Sequence, residues 1–262
     1  MRKGFTLLEV VFVIIILGVM SKFGVELLYK IYENYVYSNT YNRLENRSEM
    51  AVKQIANRLQ ARIKDLTIAR VGSAGSVITV GDANNAALAN ATVLEWVGVD
   101  LDGWRANGTP TWSGLIDLNN VGTSATSLVS PGSTAAAGSG GLFFIGGDVD
   151  IGSQADWLNG AKSVVIGNGV VTGNFVGEDV LEFYQFSKSA YAVELVGGQL
   201  LLYSNYQPWN GDTMSNPEVL MDDVTTFQFR SLGDSLLIQV CVGDNGVTGL
   251  GEYSICKEKV VF

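Results

Sequence analysis

From Phe5 to Met20 the chain is apolar at every position but Thr6 and Glu9. Continued to about Leu28, that run predicts a helix long enough to cross a hydrocarbon core of about 30 Å. Beyond Met20 the pattern turns amphipathic. Val52, Ile55, Leu59, Ile63 and Leu66 recur at spacings of three and four, while Arg43, Arg47, Arg58 and Arg62 occupy other faces. No proline precedes Pro110. The spacing predicts one helix from Phe5 to Ala69, with Gly18 and Gly24 as the places for a bend. Its first half would lie in a membrane and its second half would pack an apolar stripe against a folded body. Tyr29, Tyr32, Tyr35, Tyr37 and Tyr41 cluster where the helix should leave the bilayer, a depth that suits amphipathic rings.

After Val71-Gly72-Ser73 the residues change to Gly, Ser, Thr and Asn with short β-branched runs, which predicts strands and turns. Strands are expected at Ser76 to Val80, Thr92 to Val99, Leu142 to Ile145 and Ser163 to Ile166. Val121 to Gly141, rich in Ser, Gly and Ala, reads as a loop. From Asp179 onward strands are expected at Val180 to Phe186, Tyr191 to Val196, Leu200 to Tyr203, Thr225 to Leu232, Ser235 to Val242 and Ser254 to Phe262. Gly197-Gly198 and Gly233-Asp234 separate pairs of these runs by two residues suited to primed hairpin turns. This half should be an antiparallel meander in which Phe227 and Phe229 alternate with Gln228 and Arg230. Its buried face would be covered by the helix stripe. The fold class is therefore α+β: a membrane-spanning helix over 5–28, an amphipathic helix over 29–70, and a β-rich globular domain over 71–262.

Charge sharpens this division. Residues 1–70 carry 11 Lys and Arg against 6 Asp and Glu, and residues 71–262 carry 6 against 20, so a basic stalk at +5 precedes an acidic body at −14. An acidic body repels phosphate backbones, and no nucleic-acid partner is expected for it. The stalk suits anionic head groups or acidic neighbours. The chain has no histidine, which excludes Ser-His-Asp and Cys-His catalysis and the commonest metal ligand. The two cysteines, Cys241 and Cys256, are too far apart for a CxxC redox motif. They fall near one end of a segment that the anchor would place outside the cytoplasm. A disulfide is the leading reading, against two unpaired thiols.

The first 28 residues admit several readings. A secretory signal peptide needs a small-residue cleavage site after its apolar stretch, and none follows Met20. A plain signal anchor explains the apolar run and the basic Arg2 and Lys3, but not Glu9. A carboxylate within an apolar segment costs on the order of 2.5 to 3.5 kcal/mol, so it calls for a partner. Cleavage between Gly4 and Phe5 would expose an ammonium four residues upstream, one helical turn from Glu9. Met1-Arg2-Lys3-Gly4 followed by Phe5-Thr6-Leu7-Leu8-Glu9-Val10 resembles the leader and cleavage motif of type IV pilins and the pseudopilins of type II secretion. The basic leader, the Gly-Phe junction, the placement of Glu9 and the apolar run match together.

The resemblance implies that residues 1–4 are a leader removed by a membrane prepilin peptidase, that Phe5 is N-methylated, and that Glu9 aligns subunits by charge pairing. It implies a long N-terminal helix packed on an antiparallel sheet, and a C-terminal bridge comparable to Cys241 with Cys256. Tyr203 to Trp209, Pro217 to Leu220 and Val224 to Phe229 resemble, more loosely, the C-terminal region of larger minor pilins and J-type pseudopilins. The implied protein is a minor pilin or pseudopilin, a non-enzymatic subunit without cofactor. It would sit first as a single-pass protein of the inner membrane with its body outside the cytoplasm, then in a filament with other pilin or pseudopilin subunits. The rival is an adhesive tip protein that binds a surface or glycan through Trp96, Trp104, Trp112, Trp157 and Trp209. Asp148, Asp150 and Asp156, and Asp244 with Glu252, supply oxygen ligands beside glycines but lack the EF-hand spacing. Glu178, Asp179 and Glu182 crowd one strand end with nothing to set two of them across a cleft.

Overall fold

The computed structural model describes residues 6–80, 88, 90–106, 109–147, 151–244 and 253–262. Helix α1 spans Leu7–Leu59. Thr6 starts it through a reciprocal cap, its hydroxyl accepting from the Glu9 amide while the Glu9 carboxylate accepts from the Thr6 amide. The helix ends at Leu59, short of the expected Ala69, and Arg62–Arg70 forms strand β1 instead. Ile63 and Leu66 suit either a helical stripe or a strand. The β-branched Ile63, Thr67 and Ile68 tip the balance, because β1 lies inside a sheet and most of it is buried on both faces, which removes the alternation that marks a strand.

The body is built from three antiparallel sheets. The first, in spatial order, is β11 (Glu218–Met221), β10 (Gln199–Tyr206), β9 (Ser189–Val196), β3 (Val93–Gly98), β1 and β2 (Ile78–Thr79). The second is β4 (Ser127–Val129), β7 (Val170–Gly173), β6 (Lys162–Gly167), β5 (Gly138–Phe144) and β8 (Tyr184–Ser187). The third is β12 (Val224–Leu232), β13 (Ser235–Asp244) and β14 (Tyr253–Val261). Two short helices, α2 (Leu101–Trp104) and α3 (Gln154–Asn159), connect strands. The expected C-terminal meander is thus divided. Strand β8 joins the second sheet, β9 and β10 the first, and only β12 to β14 form a meander of their own. The stretch read as a loop over 121–141 contains β4 and the start of β5.

The Gly197-Gly198 turn joins β9 to β10 with φ of 57° and 83°, a pair of left-handed values that glycine adopts without a Cβ clash. Three cores follow from the layers. Leu44, Val52, Ile55 and Leu59 of α1 share one with Leu94 and Trp96 of β3 and with Phe227, Phe229, Ile238 and Val240 of the third sheet. The helix stripe therefore covers the face bearing Phe227 and Phe229, while Gln228 and Arg230 are exposed. The opposite face of the first sheet packs Ile68, Val93 and Ala192 under Trp157, Tyr206 and Trp209. The second sheet closes a core of its own around Trp112, Leu142, Ile166 and Phe186.

Candidate functional site

Helix α1 has two halves of different character. No residue between Leu7 and Asn39 is buried, and Thr40 is the first that is. The exposed part rises about 50 Å at 1.5 Å per residue, more than a hydrocarbon core. It is long and apolar enough to cross a membrane, and none of its most apolar window is covered by the body. Leu8, Phe12, Ile15 and Leu28 are all more than half exposed. A helix that is apolar around most of its circumference needs lipid or other protein chains around it.

Gly4 and Phe5 lie outside the described residues. Glu9 is exposed, at the third position of the helix, where the amide dipoles favour a carboxylate. Its bonds to the Thr6 amide and hydroxyl are long, both 3.4 Å. Glu9 therefore has a helix-capping use. Tyr29, Tyr32, Tyr35, Tyr37 and Tyr41 are all exposed. Four charges that the sequence pattern did not single out lie before and among them: Lys22 and Glu26, then Lys30 and Glu33. Glu26 and Lys30 form an ion pair of 3.3 Å one turn apart. Their signal in the sequence is the regular alternation of sign at helical spacing.

On the body, the bridge between Cys241 and Cys256 is formed, with the two residues directly opposite one another in β13 and β14. Beneath α3 lies a buried polar cluster with no counterpart among the expected sites. Arg70 of β1 donates through Nε to Glu95 of β3 at 2.7 Å and through Nη1 to Gln154 at 2.6 Å. Tyr206 donates to the other Glu95 oxygen at 2.9 Å, and Tyr203 to Glu194 at 2.9 Å. Burial, reinforced by Glu95, pushes the Tyr206 phenol well above its ordinary value. Burial and then the Glu194 hydrogen bond push Tyr203 up to about 12. Arg70 and Glu95 match each other's charge, and the bond from Arg70 to Gln154 ties α3 to the first sheet.

The five tryptophans do not form an exposed patch. Trp96, Trp112, Trp157 and Trp209 are buried in the three cores, and only Trp104 is exposed, its ring tilted by 47° against Trp112 at 4.8 Å beside an apolar groove of about 450 Å³. Glu178 is ion-paired with Lys162 at 2.7 Å. Asp148, Asp150 and Glu252 lie outside the described residues, and Asp156 accepts from Ser153 at the start of α3. Among the described residues no three His, Cys, Asp or Glu side chains converge as metal ligands would. Comparison with known families, with curated proteins and with solved structures finds no match in any of the three.

Proposed function

We propose that this chain is a type IV pilin-like subunit of the minor pilin or pseudopilin kind, held by α1 first in a membrane and then among the helices of a filament. The observation that carries the reading is an apolar helix of membrane length that the folded β body leaves wholly exposed, directly after the Gly4-Phe5 junction. The same helix continues into the body as a core element, so the anchor and the head share one continuous helix. The acidic head would face outward and meet neighbouring subunits or the cell exterior. Its bulk suits a subunit that starts, caps or joins a filament better than one repeated along its length. The bridge at Cys241 and Cys256 fits an oxidising compartment.

Processing tests the reading directly. In cells with a prepilin peptidase, the mature chain is expected to begin at an N-methylated Phe5, and replacing Gly4 by a bulky residue should leave only the precursor, as read by intact-mass spectrometry. Equal processing of the Gly4 variant would falsify the assigned junction. Glu9→Ala should still be processed but should enter filaments poorly. Normal incorporation of that variant would remove the charge-pairing role.

A further inference from the structure

We infer that the cavity beside the start of α3, floored by the ion pair of Arg70 and Glu95, is a binding site for a neutral sugar unit of a glycan. The cavity holds about 400 Å³, which lies in the range of small-ligand sites. Its floor is made of charged groups that are costly to bury. The Arg70 side chain is only 7% exposed, and its plane is fixed by Glu95 at Nε and by Gln154 and the Gly75 carbonyl at Nη1. Its Nη2 makes no hydrogen bond among the described residues, yet it is not one of the partnerless atoms sealed from solvent. The indole N–H of Trp157, a residue 3% exposed that also lines the cavity, is likewise unbonded and unsealed. Gln154 adds a third donor. Arginine has no acceptor, so the Gln154 amide oxygen must face it, which leaves the Nε2 hydrogens without a partner among the described residues.

These free groups suit a hydroxylated ligand better than an anion. A carboxylate or phosphate is held best by two parallel guanidinium N–H groups, and with Nε and Nη1 already engaged only one nitrogen of Arg70 remains. Nor is there charge to attract an anion. One Arg against one Glu and one Asp, Arg70 with Glu95 and Asp212, leaves the lining at a formal −1. A hydroxyl both accepts and donates, which fits single donors set around one acceptor. Asp212 supplies the acceptor: one carboxylate oxygen accepts from the Gln207 amide at 3.1 Å, and the other has no partner among the described residues. Trp157 and Met214 add apolar surface for the C–H face of a sugar ring. Because the bonds of Arg70 already hold its free nitrogen in place, little ordering is left to be done on binding. The site belongs to the body and does not depend on the reading of α1.

The test applies full-length protein, in a detergent without a sugar head group, to a printed array of neutral, sialylated and sulfated oligosaccharides. Binding is expected to neutral members, and the free monosaccharide of their terminal unit should compete for it. Arg70→Lys keeps a charge beside Glu95 but removes Nη2, and should weaken binding about tenfold, as loss of one hydrogen bond in a desolvated site would. A change at a buried arginine can also unfold the body, so a second variant is needed. Thr213 is exposed on the rim and bonded to neither Arg70 nor Glu95, and Thr213→Trp sets an indole into the cavity. That variant should lose array binding while its thermal unfolding by circular dichroism matches the parent. Preference for sialylated or sulfated members would make this an anion site and overturn the neutral ligand. Undiminished binding by Thr213→Trp would overturn the location, and a folded parent that binds no neutral member would overturn the inference as a whole. Each of these outcomes leaves processing at Gly4 and Phe5, and the filament reading it tests, as they were.

Discussion

Glu95 projects from β3 into the layer beneath α3, and each of its oxygens has a partner, Arg70 on one and Tyr206 on the other. Its side chain and that of Arg70 are only 3% and 7% exposed. A matched buried pair adds little net stability, whereas removing one member strands the other. Glu95→Ala is therefore expected to cost about 3 to 5 kcal/mol in denaturant unfolding of the body. Replacing Arg70 and Glu95 together by methionine should cost less than that single change. A double variant less stable than Glu95→Ala would show that the pair contributes beyond mutual neutralisation. Tyr203 carries a pH signature. Its phenol loses its proton near 10 in the unfolded chain and near 12 in the folded one, so the folded state holds the proton more tightly. The resulting stability is complete below pH 10 and is lost as pH rises from about 10 towards 12. Tyr203→Phe should make unfolding free energy less steep in pH over that window, measured by urea titration at fixed pH steps. An unchanged slope would place the alkaline sensitivity elsewhere, Tyr206 being the next group to test.

At the scale of elements, what could be read in the chain depends on how many faces of each element are buried. Strands β12 and β13 bury one face for much of their length, and their alternation, together with the Gly233-Asp234 turn, marks them clearly. Strand β1 is mostly buried on both faces, so Ile63 and Leu66 present a run that fits a helix equally well, and the spacing alone carries the helix past its end at Leu59. The strand expected at Leu142 to Ile145 lies in β5 as far as Phe144, but the first half of β5 is hidden for a different reason. Its opening residues, Gly138 to Gly141, look like linker composition, yet glycine is needed there because large side chains pack against the backbone. A Cβ on Gly141 would lie 2.7 Å from the Trp209 ring, and one on Gly140 would strike Phe186 and the Ser187 carbonyl. Low complexity here records close approach by aromatic rings from elsewhere in the chain, which no local pattern reveals. Gly141→Ala should accordingly destabilise the body by about 1 to 3 kcal/mol through overpacking. Gly146→Ala serves as a comparison, since its Cβ meets no atom and only its φ of 90° is unfavourable. Since Gly141 has no left-handed φ, a Gly141→Ala variant as stable as the parent would mean that the Trp209 ring gives way and does not set the requirement.

At the scale of the whole molecule, α1 belongs to two environments, and the boundary falls at Thr40. Below it every described residue is at least partly open; above it Leu44, Ala51, Val52, Ile55 and Leu59 are core. The apolar run of α1 is legible because it depends on local order in the chain. The buried cluster around Glu95 is not, since Arg70, Glu95, Gln154 and Tyr206 meet only through the pairing of β1 with β3 and the seating of α3. This division predicts that the body is complete without the anchor. A chain beginning at Ser38, whose hydroxyl can cap the shortened helix, retains all the buried residues of α1. It should be monomeric without detergent and melt within about 2 °C of the full-length protein in detergent, because none of the described residues removed is buried. Size-exclusion chromatography and thermal unfolding by circular dichroism decide the matter. A truncated body that aggregates, or melts many degrees lower, would mean that the exposed helix supports the fold itself, and the separation of anchor from head on which the proposed function depends would not hold.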